Sequence, residues 1–253
     1  MVLELSSGTI HLSLAFPDEI TDEQLLLSYE RLLNEDEKNR WQRFYFAKHR
    51  HQYLVTRALI RSTLSHYVDI DPKDWRFSVN EYGKPEIKKG FIDQPIRFNL
   101  SHTDGLIICA IVLNNDIGVD CENIQKKHPL SIAEHCFSKQ EIHALNQLPE
   151  YQQPQRFLEY WTLKEAYIKA KGMGLSLPLD QFSFIIRENR RVEIAFEPCL
   201  QDNPQHWQFW QLTPSEHHIA AVSIKSETQM KFQLLMNKVV PFQSGQPLQI
   251  NAG

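Results

Sequence analysis

The order of periodicities along the chain constrains its fold more than any single residue does. Helical spacing is followed by short strands, and that succession then occurs a second time. After an extended piece at about 9–16, an acidic helix start is expected at Thr21-Asp22-Glu23 with Thr21 as N-cap, and apolar residues recur at helical spacing from Glu35 to Tyr67. Strands are expected at Trp75–Val79, Ile96–Leu100 and Leu106–Leu113, with turns at Glu81–Pro85 and Asn114–Asp116. Helical patterns return from Ser131 to Lys171, and strands follow at about 181–187, 191–197, 206–213 and 218–224. Gln42-Arg43-Phe44 and Gln155-Arg156-Phe157 open corresponding helical stretches, and Leu106–Leu113 has a counterpart in His218–Ile224. The expectation is an α+β chain of two similar halves, 1–115 and 116–225, followed by a tail, 226–253, of weak structure. The apolar segment that ends in Gly118-Val119-Asp120-Cys121-Glu122 would link the halves, which places any site on it in the cleft between them.

That linking segment is chemically loaded. On a strand, residues i and i+2 share a face, so Asp120 and Glu122 point together while Cys121 enters the opposite layer. On the second helical pattern, Glu165 and Lys169 share a face at i,i+4, adding a third carboxylate and a cation one turn on. Three carboxylates with water suit Mg²⁺, a hard ion that recruits substrate phosphate to complete its octahedral oxygen shell. Each half of the pattern taken alone is usually no more than a solvated strand face or an ordinary surface ion pair.

The first helical region adds cations. Arg43, Arg50, Arg57 and Arg61 fall within an arc of roughly 40° if the helix is continuous, and a break near Phe46-Ala47 removes only Arg43. Such a stripe is either a phosphate-facing wall or a set paired with acids elsewhere in the fold. Ser101-His102-Thr103-Asp104-Gly105 reads as a polar loop between strands, either contacting phosphate or satisfying its own backbone.

Composition removes several alternatives. With 253 residues, 42% of them hydrophobic, the chain is long enough for a substantial core. A net charge of -4 argues against a polyanion-binding protein, so nucleic acid is not an expected partner. The N-terminus lacks the pattern of a signal peptide and no apolar run spans a membrane, so a cytoplasmic protein without membrane association is expected. The cysteines at 109, 121, 136 and 199 have no CxxC spacing, and the histidines form no HExxH, so zinc is not expected.

Taken as a set, Tyr82-Gly83-Lys84-Pro85, Phe98-Asn99-Leu100-Ser101-His102, Gly118-Val119-Asp120-Cys121-Glu122, Phe137-Ser138 and Trp161-Thr162-Leu163-Lys164-Glu165-Ala166, with Lys169 and Gly172, closely resemble the surfactin-synthetase-activating type of 4'-phosphopantetheinyl transferase. The resemblance spans roughly 20–225. It implies a monomer of two pseudo-twofold α+β halves with coenzyme A and Mg²⁺ in the cleft. The implied reaction moves the 4'-phosphopantetheine arm of coenzyme A to a serine of an apo acyl or peptidyl carrier protein.

Carried over residue by residue, Asp120, Glu122 and Glu165 match the metal-binding acids, and Lys169 the basic residue on the pyrophosphate. Ser101 and His102 match the pair on the coenzyme phosphates, and Lys84 and Pro85 the nucleotide-side turn. Arg57 matches a position near the 3'-phosphate, with Arg50 and Lys38 as weaker transfers. Glu165 is the expected base, and Lys169 and His102 the groups that stabilise the leaving phosphate. Asn123–His135, with Lys126, Lys127 and His128, is the expected docking surface for the carrier. Two rivals are another Mg²⁺-dependent phosphotransfer or hydrolytic enzyme and a non-catalytic coenzyme A-binding module.

Overall fold

A computed structural model describes residues 3–126, 130–188, 191–228, 230–243 and 245–247. Strand β1 (Thr9–Ala15) opens the first half. Helices α1 (Glu23–Glu30), α2 (Glu35–Arg43) and α3 (Ala47–Ser65) follow, then the hairpins β2 (Phe77–Val79) with β3 (Pro85–Ile87) and β4 (Ile96–Thr103) with β5 (Leu106–Leu113). The second half repeats that order. Strand β6 (Ile117–Asn123) leads into α4 (Ala133–Cys136), α5 (Lys139–Asn146) and α6 (Gln153–Lys171), then β7 (Phe182–Ile186) with β8 (Val192–Phe196) and β9 (Trp207–Ser215) with β10 (His218–Lys225).

The sheets repeat as well: β1-β5-β4 in the first half matches β6-β10-β9 in the second, all antiparallel. The protein is α+β with two similar halves in pseudo-twofold relation. The first sheet alone is extended beyond its opening strand. There β11 (Gln233–Lys238) pairs parallel with β1, and β12 (Gln246–Pro247) pairs antiparallel with β11.

The two sheets pack face to face, because their strands alternate between an inner and an outer apolar set. Ile10, Leu12, Leu14, Ile108 and Val112 meet Ile117, Val119, Cys121, Val222 and Ile224 in a buried core between the sheets. On the outer faces, Val55, Ala58 and Leu59 of α3 cover Cys109 and Ile111, while Leu163, Ala166 and Tyr167 of α6 cover Ala221. At about 1.5–3 kcal/mol for each large aliphatic side chain removed from water, these layers dominate the stability. No helix among the described residues is long and apolar enough to cross a membrane.

Four local readings are corrected. The N-cap of α1 is Asp22 rather than Thr21, its carboxylate accepting from the Leu25 amide at 2.9 Å. The long helical region is broken where Phe44 and Phe46 take extended backbone, so Arg43 leaves the stripe and Gln42-Arg43-Phe44 ends α2 rather than opening a helix equivalent to α6. Ser101, His102 and Thr103 belong to strand β4, and only Asp104 and Gly105 turn. The tail is not weakly structured throughout: 233–238 adds a strand, and the Tyr29 hydroxyl donates to the Pro241 carbonyl at 2.9 Å in the interior.

Candidate active site

Strands β4 and β6 are the outer strands of their sheets and face each other across the junction of the halves. Side chains join them. Asn99 Oδ1 accepts from the Val119 amide at 2.8 Å, and Ser101 Oγ accepts from the Cys121 amide at 3.3 Å while donating to Asp120 Oδ1 at 3.0 Å. Thr103 Oγ1 reaches Glu122 Oε2 at 3.5 Å. This period-two set, Asn99, Ser101 and Thr103, is visible in the sequence only once the segment is read as strand; treated as a loop, it hides two of its three members.

Helix α6 lies directly on β6, and glycine is what permits it. A Cβ at Gly118 would stand 1.9 Å from the Ala166 carbonyl oxygen and 2.4 Å from the Ala170 amide nitrogen, so no side chain fits between helix and strand. The close approach sets Glu165 and Lys169 against Asp120. Lys169 Nζ donates to Asp120 Oδ1 at 2.6 Å, Ser101 Oγ at 3.0 Å and the Val119 carbonyl at 3.2 Å. The helix ends at Gly172, which takes the left-handed conformation (φ 69°) that glycine adopts without strain.

Burial and like charge set the electrostatics. Glu165 is pushed up to about 7 by burial and then by Asp120, with Lys169 opposing and Glu122 adding to the rise. Glu122 is raised by burial and by Asp120, against the pull of Lys126, Lys169 and a hydrogen bond from Trp161. Burial acts to lower Lys169, but Asp120 with Cys121 and Glu165 together outweigh it and raise the ammonium. His102, at the exposed end of β4, is lowered by the protein atoms packed round its ring and then by Lys169, with Asp120 opposing and Arg57 and His49 adding to the fall.

The remaining expected residues fall into two groups. Lys84 Nζ reaches the carbonyls of Ile117 at 3.2 Å and Ala170 at 3.4 Å, and Asn80 donates to the Gly172 carbonyl at 2.8 Å, so the turn that ends in Pro85 is latched to β6 and the end of α6. Arg57 lies over the Tyr53 ring at 5.0 Å and 3.7 Å from Glu37. Arg50 is exposed on α3, and Lys38 forms an exposed pair with Glu35.

Other parts of the motifs prove structural. Arg61, the last of the stripe, is fully buried, bound to Glu37 at 2.6 Å and the Trp75 carbonyl at 2.9 Å. Lys164 points away from the cleft to Glu141 at 2.8 Å, and Ser138 caps α5 by accepting from the Glu141 amide. In the stretch expected to dock a carrier, Ile124 and Lys126 are exposed, while Lys127 and His128 lie outside the described residues. Gln52 and His218 join the site through folding: Gln52 donates to the Thr103 carbonyl, and His218 Nε2 stands 2.8 Å from the Asp104 carbonyl, so both hold the turn after Ser101–Thr103. Nothing in their spacing marks them, because each acts on a backbone brought close only by folding.

The acids fit a hard divalent cation. Asp120 Oδ2 is buried without a hydrogen-bond partner, and the mutual elevation of Glu122 and Glu165 by Asp120 is a repulsion that a cation relieves. Among the described residues no cluster of three or more His, Cys, Asp or Glu side chains is gathered closely enough to hold a metal ion by itself. The chain thus offers part of an oxygen shell, and water and phosphate oxygens would supply the rest.

Comparison with known proteins identifies the family. Residues 116–222 match the model of the 4'-phosphopantetheinyl transferase superfamily, and residues 20–113 match that of the 4'-phosphopantetheinyl transferase N-terminal region. The chain is 33% identical over 227 residues to the 4'-phosphopantetheinyl transferase HetI of Nostoc sp., covering 88% of this chain and 90% of that one. It is 37% identical to Sfp of Bacillus subtilis, covering 66% and 74%, and 32% identical to gsp of Aneurinibacillus migulanus, covering 73% and 78%. The chain therefore belongs to the 4'-phosphopantetheinyl transferase family, in its surfactin-synthetase-activating branch, and is an enzyme that transfers the 4'-phosphopantetheinyl group.

Proposed function

We propose that the enzyme takes the 4'-phosphopantetheine arm from coenzyme A and attaches it to a serine hydroxyl of an apo carrier protein, releasing adenosine 3',5'-bisphosphate. The observation that carries this reading is the triad Asp120, Glu122 and Glu165 arranged around Lys169, with one Asp120 oxygen buried and unpartnered. Asp120, Glu122 and Glu165 would hold Mg²⁺, which when bound neutralises pyrophosphate charge. Residues 1–115 and 116–225 are the halves flanking the coenzyme, and the enzyme acts as a cytoplasmic monomer.

The transfer needs a weak oxygen nucleophile placed in line with a phosphoryl centre, so positioning and charge do most of the catalysis. Ser101, His102, Lys84, Pro85, Arg50 and Arg57 orient the coenzyme through its phosphates and nucleotide. Glu165, raised to about 7, is poised to accept the serine proton at its carboxylate, and such help contributes about 10² to 10⁴ in rate. Lys169 and His102 stabilise charge on the departing phosphate.

Incubating the protein with coenzyme A and an apo acyl carrier protein, with Mg²⁺ or with chelator, tests the reading by intact mass. A phosphopantetheine mass gained only with Mg²⁺, and lost in Glu165→Gln, is expected. No gain at any Mg²⁺ concentration would leave another phosphotransfer or a hydrolysis as the activity, and full turnover in Glu165→Gln would remove Glu165 as base.

A further inference from the structure

Strands β4 and β6 belong to different sheets, so no ladder of backbone hydrogen bonds fixes their spacing among the described residues. Side chains therefore set how far Ser101 and His102 stand from Asp120 and Glu122. Toward one end of the cleft, Asn99 ties β4 to the Val119 amide. At the other end the tie is the Asp104–Gly105 turn, on which residues from both halves converge.

The Asp104 carbonyl receives two donors from the second half. Asn123, the residue after Glu122, donates through Nδ2 at 3.1 Å, and His218 reaches the same oxygen through Nε2 at 2.8 Å. Asn123 and His218 stand opposite each other in the β6–β10 register, which brings both to one atom. From α3, Gln52 donates to the Thr103 carbonyl and Lys48 pairs with the Asp104 carboxylate at 3.5 Å.

The His218 ring is held in one state. A carbonyl only accepts, so Nε2 carries the proton and Nδ1 accepts from Ser215 Oγ at 2.7 Å. Its surroundings leave it no room to turn: His218 is buried, Phe16 meets its ring edge to face with centroids 6.3 Å apart, and a Cβ at Gly105 would stand 3.4 Å from it. Burial lowers the ring's pKa, with the Asp104 carbonyl opposing, His217 adding to the fall and Asp18 opposing it. The neutral imidazole is thus a fixed strut from β10 to the turn that ends β4.

We propose that His218 is a positioning residue for the transfer: it clamps the Asp104–Gly105 turn of the first half onto the second and so holds Ser101 and His102 at a set distance from Asp120 and Glu122. Ser215 orients the ring for that task. His218 touches none of the reacting groups and acts through the turn. The proposal rests on the coenzyme reading above, in which Ser101 and His102 meet the phosphates.

Intact-mass kinetics with coenzyme A and apo acyl carrier protein test it on His218→Ala, His218→Gln and Ser215→Ala, alongside melting curves and NMR of the His102 ring. Turnover by the unmodified enzyme comes first, since its absence sinks the coenzyme reading itself rather than the role of His218. Given turnover, His218→Ala is expected to lower kcat/KM for coenzyme A about tenfold or more and to shift the His102 ring signals, with KM for the carrier unchanged. His218→Gln, which keeps a side-chain N–H donor, is expected to recover most of that loss. Ser215→Ala is expected to lose less than His218→Ala and in the same direction. Unchanged kcat/KM for coenzyme A in His218→Ala overturns the proposal. Equal losses in His218→Gln and His218→Ala also overturn it, because the N–H donor would then not be what counts. So does a change confined to KM for the carrier, which would assign His218 to that partner. Should His218→Ala melt below the assay temperature, Ser215→Ala decides, and full coenzyme kinetics there overturn it.

Discussion

The two halves use one device to seat their long helices. In the first, Asn34 and Glu37 form a capping box at the start of α2, and Glu37 then binds Arg61 of α3. In the second, Ser138 and Glu141 form a capping box at the start of α5, and Glu141 binds Lys164 of α6. Helices α3 and α6 each have 19 residues. The pairs differ in depth: the Glu37 side chain is 12% exposed and that of Glu141 is wholly buried, where it also accepts from the Ser138 and Phe184 amides.

The opening strands diverge further. Strand β1 alternates Ile10, Leu12 and Leu14 with His11, Ser13 and Ala15, and β11 covers its outer edge. Strand β6 pairs with no further strand of its own sheet among the described residues, its edge being met by Asn99 and Ser101 of β4, and its set matching His11, Ser13 and Ala15 is Gly118, Asp120 and Glu122. A shared scaffold thus gathers carboxylates and a lysine only where the strand face is acidic and the helix comes close enough to meet it.

The deepest test of the shared device is to break both pairs. Lys164→Met leaves Glu141 charged and buried, and a loss of about 3–5 kcal/mol in urea unfolding is expected. Arg61→Met is expected to cost less, because Glu37 keeps some contact with water and lies beside Arg57. Equal losses would show that depth does not distinguish the halves.

Gly118→Ala comes next. It drives a methyl group into the backbone of α6, so a loss of at least about 1–3 kcal/mol is expected together with loss of transfer activity, measured by melting and by intact mass. Retention of full activity would mean that the close helix approach is not what sets Glu165 and Lys169 against Asp120.

pH is the third probe. Glu165 stands at about 7, above its usual carboxylate value, because of burial and Asp120. Under the proposed reading the base must be ionised, and a bound cation relieves the elevation, so kcat/KM with saturating Mg²⁺ is expected to begin its fall of about tenfold per pH unit only below the metal-free midpoint of about 7. Linkage has the opposite sense. The folded metal-free protein holds this proton more tightly than the unfolded chain, so its contribution to stability is present in acid and is lost as pH rises through about 7. NMR of the labelled Glu165 carboxyl in Asp120→Asn should titrate at lower pH than in the parent; an unchanged midpoint would leave burial as the whole cause.

The smallest effect concerns the edge that only the first half covers. Tyr29→Phe removes the bond to the Pro241 carbonyl, and a loss of about 0.5–1.5 kcal/mol is expected with activity unchanged. A larger loss would mean that the added strand supports the cleft as well as the sheet.

Much of this was legible from residue order. Alternation placed Asp120 and Glu122 on one face of β6 with Cys121 in the layer between the sheets, and helical spacing put Glu165 and Lys169 together. The Arg stripe was legible only as a choice, and folding split it. Arg61 became a buried structural cation, while Arg50 stayed exposed. The loop reading of Ser101–Thr103 failed because polar residues in a strand next to another sheet's edge resemble turn residues when the partner strand is unknown.

The sequence by itself determined the two-half order, the acidic strand face and the family, because periodicity and motif spacing are properties of neighbouring residues. The tertiary structure alone decided that Gly118 admits α6, that Asn99 and Ser101 join β4 to β6, that Lys164 turns away while Lys169 meets Asp120, and that 233–238 completes the first sheet. Each of these depends on the distance between segments far apart in the chain, and that distance exists only once both sheets and both long helices have packed.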